Sequence, residues 1–218
     1  MKGLDRAALA QVLTDGIEAL SLELSDQQVA QLLDYLALMV KWNAVYNLTS
    51  LREPMQMVTH HLLDSLAAVA AFAGARNVLD VGAGGGLPGI VLAIARPDMA
   101  VSLIDTVHKK TAFLKQVKAE LELANVTVYT AKVQELVVTQ PFDVITSRAF
   151  ADLSDFVNWS AHLLAEDGQF IALKGVAPPS EQQRLPAEWQ VSELRHLQVP
   201  GLEAERHLVF IKKFSTTS

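Results

Sequence analysis

The stretch Val78–Gly89, VLDVGAGGGLPG, sets a carboxylate, Asp80, just ahead of Gly82, Gly84, Gly85, Gly86 and Gly89, in a chain with only eleven glycines. Glycine is entropically expensive to fix, so such clustering implies that something approaches the backbone closely. An apolar run precedes the glycines and a helical stretch follows. The loop therefore leaves a strand and opens a helix, whose N-terminus offers unpaired N–H groups and partial positive charge. Two ligand classes use this arrangement. The segment from Gly84 to Gly89 fits GxGxxG, and Asp105, 21 residues past Gly84, falls where a dinucleotide site places an acid for the ribose. Asp80 points elsewhere, because a carboxylate there opposes a pyrophosphate and suits a cation. S-adenosylmethionine carries a sulfonium and an ammonium and no phosphate, and these residues favour it over a dinucleotide. Asp105 ends the run VSLID, where its two oxygens can accept from both ribose hydroxyls; the structural alternative is an N-cap for a helix starting near Val107.

The elements that must carry these residues follow from length and pattern. The 218 residues suit one domain with a small extension, and half of them are hydrophobic. With no cysteine, disulfides, thiolate nucleophiles and zinc–sulfur sites are excluded. The N-terminus lacks a signal-peptide core, and the most apolar segment, Leu62–Ala73, is too short to span a bilayer. The expectation is a soluble, cytoplasmic chain without a membrane partner.

Residues 1–73 read as a helical extension: Leu4–Leu20 has helical spacing, Ser25 caps a second helix, KWNAVYNLTS (41–50) is turn-like, and Pro54 opens a third helix. From 74 to 218 the pattern changes. NVLDV, AVSLID, VTVYT, DVITS and QFIALK alternate with helical stretches and are too apolar for a one-sided sheet, which implies parallel strands covered on both faces. WQVSELRHLQV and RHLVFIKKF then form two strands with no helix between them, an antiparallel pair at the sheet edge. The predicted fold is α/β: Rossmann-like, mostly parallel, with an antiparallel final strand and an N-terminal helical extension, a sheet that suits a methyltransferase better than a dehydrogenase.

The net charge of −6 does not by itself suggest a nucleic-acid partner. Positive charge is local: His108, Lys109, Lys110, Lys115 and Lys118 share one segment, and Arg148, Lys174, Arg195, Arg206, Lys212 and Lys213 follow.

Seven segments in order, KWNAVYNLTS (41–50), HHLLDSL (60–66), LDVGAGGGLPGIVLA (79–93), LIDTVHKKTAFLKQV (103–117), ITSRAFADL (145–153), ALKG (172–175) and ERHLVFIKK (205–213), resemble the RsmG (GidB) family. These are small-subunit ribosomal RNA methyltransferases acting on N7 of one guanine in 16S rRNA. The resemblance implies a class I S-adenosylmethionine-dependent methyltransferase fold, bacterial cytoplasmic location, S-adenosylhomocysteine as product, and a monomer acting on 16S rRNA within the small subunit or an assembly intermediate. It assigns Gly82 and Leu87 to the cofactor loop and Val133 and Gln134 to the adenine-binding turn, although the family commonly has an acid where this chain has Gln134. It puts Arg148 at the active-site mouth, against the cofactor, with Lys174 beside it; the two would hold an RNA phosphate or guanine O6. The bland alternative pairs Arg148 with an internal acid such as Asp143 or Asp152.

His61 and Asp64 match the family's HxxLD segment. Two such ligands without a third make a metal unexpected. Packing of the extension over the cofactor pocket is the preferred role for both, ahead of a substrate contact. Trp42 and Tyr46 could stack on an unpaired base or anchor the core, and Asn47 and Thr49 could cap the turn or reach the pocket. Guanine N7 has an available lone pair, so no general base is assigned. Methyltransferases of other acceptors, a nicotinamide oxidoreductase and a non-catalytic cofactor sensor are the rival functions.

Overall fold

The computed structural model describes residues 5–148, 150, 152–176 and 183–214. Seven strands form one sheet: β1 (Asn77–Val81), β2 (Ala100–Asp105), β3 (Val126–Thr130), β4 (Phe142–Ser147), β5 (Leu164–Lys174), β6 (Trp189–His196) and β7 (His207–Lys213). Their order is β3-β2-β1-β4-β5-β7-β6. The first five are parallel, and β7 lies antiparallel between β5 and β6. The order reverses between β1 and β4, both buried along nearly their whole length. In an open α/β sheet this switch point is where ligands bind, at the carboxyl ends of the strands.

The helical extension packs on one face. Helix α1 (Arg6–Ala19) and helix α2 (Asp26–Tyr46) share a single apolar core with helix α5 (Gly89–Ala95) and helix α6 (His108–Glu120), while α7 (Leu153–Ser160) closes a second core on the other face. Ser25 caps α2 through a complete capping box with Gln28. Two departures from the sequence pattern matter. First, Lys41–Tyr46 is not a turn but the last part of α2. Trp42 packs against Phe113 and Tyr46 and donates its indole N–H to Gln116, which holds those residues helical up to Asn47, a left-handed C-cap with φ of 51°. Second, the stretch from Pro54 is not one regular helix. It runs through α3 (Pro54–Met57), a π-helical turn (Val58–Leu63), α4 (Asp64–Leu66) and a 3₁₀ turn at Val69–Phe72. A π turn of this kind is frequent at functional sites. No helix among the described residues is long and apolar enough to cross a membrane.

Candidate active site

The glycine loop is shaped from beneath. Gly82, Gly84 and Gly86 have φ of 68°, 57° and 94°, which side-chain-bearing residues rarely adopt. Tyr35 of α2 is fully buried and donates its hydroxyl to Gly85 O at 2.6 Å, so the helical extension holds the loop directly. Asp80 sits under the loop and not on its rim. It is 1% exposed, and Oδ2 accepts the Gly89 N–H at 2.9 Å. A Cβ at Gly89 would lie 2.1 Å from Leu103 and 2.8 Å from that same oxygen, so glycine is required for α5 to start against β1 and β2.

Burial raises the Asp80 carboxyl to about 7. The folded protein thus holds this proton more tightly than the unfolded chain does, so the stability it contributes is full below the ordinary carboxylate range and is lost as pH rises through about 7. Asp80→Asn removes that loss. In denaturant titrations its stability relative to wild type should be greater at about pH 8 than at about pH 5, and an equal offset at both would contradict this.

Two clefts flank the β1–β4 junction, where Ser147 Oγ donates to Val81 O at 2.7 Å. The first, about 290 Å³, lies over the ends of β1, β2 and β3, with Gly82, Asp105, Val133, Gln134, Phe150 and Trp159 in its lining. Asp105 is 7% exposed and held by two backbone donors: Gly84 N–H to Oδ2 at 3.0 Å and Val107 N–H to Oδ1 at 2.8 Å. Local turn bonding and a carboxylate facing the cleft therefore coexist, since each oxygen keeps a second lone pair. Lys110 Nζ lies 3.7 Å from Oδ2. Val133 and Gln134 begin a 3₁₀ turn, Val133–Glu135, whose first N–H groups have no partner within it. Phe150 and Trp159, edge to face at 5.5 Å between centroids, supply an aromatic wall that the motifs had not flagged, with Trp159 41% exposed. Leu87 is buried in the main core and Gly84 acts through Asp105; neither is among the residues lining this cleft. An acid for a diol, backbone donors for a base edge and aromatic faces fit an adenosine, and the described lining also holds two cations, Lys110 and Lys132.

The second cleft, about 400 Å³, lies between the helical extension and the ends of β4, β5 and β7. The extension contributes Thr49, His60, His61 and Asp64; the sheet side contributes Arg148, Lys174 and Arg206. Arg148 thus lines this cleft and not the first. Its partner is none of the acids near it in sequence. Asp143 accepts from the Arg76 and Asn77 N–H groups, and Asp152 caps α7 and pairs with Arg184, whereas Arg148 Nη1 lies 3.4 Å from Asp64 Oδ2 and donates to His60 O at 3.3 Å. Lys174 Nζ donates to Phe150 O at 2.9 Å and so bridges toward the first cleft.

His61 and Asp64 line the second cleft rather than packing over the first. Burial and the nearby Arg148 lower the His61 imidazole to about 4, so it is neutral at physiological pH. Its Nδ1 faces the His60 carbonyl, which can only accept; Nε2 therefore accepts from the Thr49 hydroxyl at 2.9 Å. Thr49 is a strut for His61, and Asn47 holds Arg52. Neither Trp42 nor Tyr46 is among the lining of either cleft. Among the described residues no three or more His, Cys, Asp or Glu side chains gather as metal ligands.

A sheet of order 3-2-1-4-5-7-6 with an antiparallel seventh strand is the class I S-adenosylmethionine-dependent methyltransferase fold. Solved structures agree: the chain is similar to the O-methyltransferase from Bacillus cereus in complex with SAH (TM-score 0.56, 18% identity, 82% of this chain and 90% of that one). It is also similar to TrmN from Thermus thermophilus (TM-score 0.53, 18% identity, 72% of this chain and 53% of that one). The chain belongs to the GidB family, rRNA small subunit methyltransferase G, whose family model matches residues 28–209. It is 69% identical over 217 residues to Ribosomal RNA small subunit methyltransferase G of Herminiimonas arsenicoxydans, covering 98% of this chain and 100% of that one. To the protein of that name from Chromobacterium violaceum it is 55% identical over 197 residues, covering 90% of this chain and 94% of the relative.

Proposed function

We propose that this chain transfers the methyl group of S-adenosylmethionine to N7 of a guanine in 16S ribosomal RNA. The observation that carries the reading is the pair of clefts across the β1–β4 junction, one chemically suited to adenosine and the other lined by Arg148, Lys174 and Arg206. Family membership, together with relatives named for the small-subunit rRNA, supplies the acceptor class.

When bound, S-adenosylmethionine supplies an electrophilic methyl that a neutral ring nitrogen takes up without loss of a proton. The residues' tasks follow. Asp105 accepts from the ribose hydroxyls, the N–H groups of Val133 and Gln134 meet the adenine edge, Phe150 and Trp159 cover the ring, and Gly82 leaves room for close approach. Gln134 retains hydrogen-bonding capacity as an amide. Arg148, Lys174 and Arg206 hold the anionic and carbonyl oxygens of the acceptor. In the second cleft His61 Nε2 already takes the Thr49 hydroxyl and each Asp64 oxygen faces an arginine, so neither is assigned a proton-accepting role. Catalysis is by positioning, which contributes about 7–11 kcal/mol in favourable cases.

The test is transfer of labelled methyl to small ribosomal subunits from cells lacking this protein, with naked 16S rRNA and bulk protein alongside. Label in RNA supports the reading, and the better RNA acceptor shows whether the assembled particle is recognised. Label in protein, or in no acceptor while cofactor binding is intact, overturns it.

A further inference from the structure

The second cleft holds one carboxylate among its cations, and its place is specific. Asp64 is 3% exposed and follows directly on the π-helical turn. Its two oxygens go to two different arginines. Oδ1 accepts from Arg206 Nε at 2.9 Å, and Oδ2 lies 3.4 Å from Arg148 Nη1. These arginines stand 142 and 84 residues away in sequence, one just before β7 and the other just after β4, on either side of β5. Their side chains are 24% and 29% exposed against 4% for Asp64, so the guanidiniums reach farther toward solvent than the carboxylate they hold.

The donor inventory shows what remains. A guanidinium has five N–H donors in a rigid fork. Arg206 uses Nε on Asp64 and Nη1 on Glu205 O; Arg148 uses Nη1 on Asp64 and His60 O. Arg206 Nη2 and Arg148 Nε and Nη2 make no hydrogen bond to another described residue. Such planar forks match the oxygens of a phosphate. Without Asp64, each long side chain would keep one backbone carbonyl and several rotamers, and ordering both would fall to the binding step.

We infer that Asp64 is a positioning residue. It fixes Arg148 and Arg206 so that their remaining N–H groups form a receptor for one phosphodiester group of the acceptor, an inference that rests on RNA being the acceptor. A role in stability alone accounts poorly for the arrangement, since buried ion pairs are weak stabilisers compared with apolar packing.

The two views of Asp64 predict opposite signs. If the cleft attracts RNA only through net charge, Asp64→Asn removes a negative charge and tightens binding. If Asp64 positions the arginines, the same change weakens binding. In steady-state transfer to RNA by the full chain, Asp64→Asn should raise KM about tenfold and reduce the salt slope of log KM by about one, the signature of a lost phosphate contact. The cofactor Kd, measured by titration, should stay close to wild type, with transfer assayed at a temperature at which both proteins are folded. A KM at or below wild type, or an unchanged salt slope, overturns the inference. Should Asp64→Asn not fold, Asp64→Glu serves on the same readouts: it keeps the charge and moves the carboxylate, so an increased KM supports positioning and an unchanged KM overturns it. Absence of transfer to any RNA by wild type would instead refute the reading on which this one rests, and it would be seen before any variant is made.

Discussion

Arg148→Ala should lower methyl transfer to ribosomal RNA by about a hundredfold or more, the scale of a lost positioning contact, while leaving cofactor affinity within about twofold. Arg148 directly follows β4, at the switch point, and lines the basic cleft but not the adenosine cleft. The loss should therefore fall on the acceptor. Truncation leaves the Asp64–Arg206 pair in place, so the loss reports on Arg148 itself. Arg148→Lys keeps the charge without the planar fork and should recover only part of the activity. Single-turnover transfer at saturating cofactor, beside a cofactor titration, checks the prediction. Full activity would return Arg148 to a structural role, and a large loss of cofactor affinity would move it to the first cleft.

Asp105→Ala should weaken S-adenosylmethionine binding by about a hundredfold or more, because hydrogen bonds to a charged group are worth about 1.5–3 kcal/mol each and two ribose hydroxyls are at stake. A second contribution comes from the loop. The Gly84 and Val107 N–H groups lose their acceptor, so the glycine turn and the entry to α6 lose the bonds that shape them. Asp105→Asn keeps one acceptor oxygen and should fall between Ala and wild type. Calorimetric titration of each variant measures this. Unchanged affinity for Asp105→Ala would remove the residue from the cofactor site.

The strands were legible because a parallel sheet covered on both faces writes itself as short apolar runs. NVLDV, AVSLID and VTVYT match β1, β2 and β3 residue for residue, and the antiparallel pair was marked by two strand patterns without a helix between them. Local punctuation also served: Ser25 and Pro54 each open the helix expected of them. What escaped was set at long range. A π turn shifts the register inside an apolar stretch without breaking its hydrophobic pattern, so Val58–Leu63 gave no signal. Asp80 was correctly placed at a strand end, but whether it faces the rim or the underside depends on how tightly α5 closes on β1, which only the Gly89 contact reveals. Arg148 was singled out, yet its partner lay 84 residues upstream, and no local rule connects the two. Tyr35 carries no sequence signal of its own, because its hydroxyl reaches the glycine loop 50 residues away.

The most direct test of the account is the chemical identity of the product. Small subunits methylated by the purified chain with labelled S-adenosylmethionine would be digested to nucleosides, and the intact RNA cleaved by mild reduction and aniline, which cuts at 7-methylguanosine. The account predicts label only in 7-methylguanosine and one new scission in 16S rRNA. Label on an exocyclic nitrogen, a ribose or a carbon, each of which calls for a proton to be removed, would contradict a site that works by positioning alone.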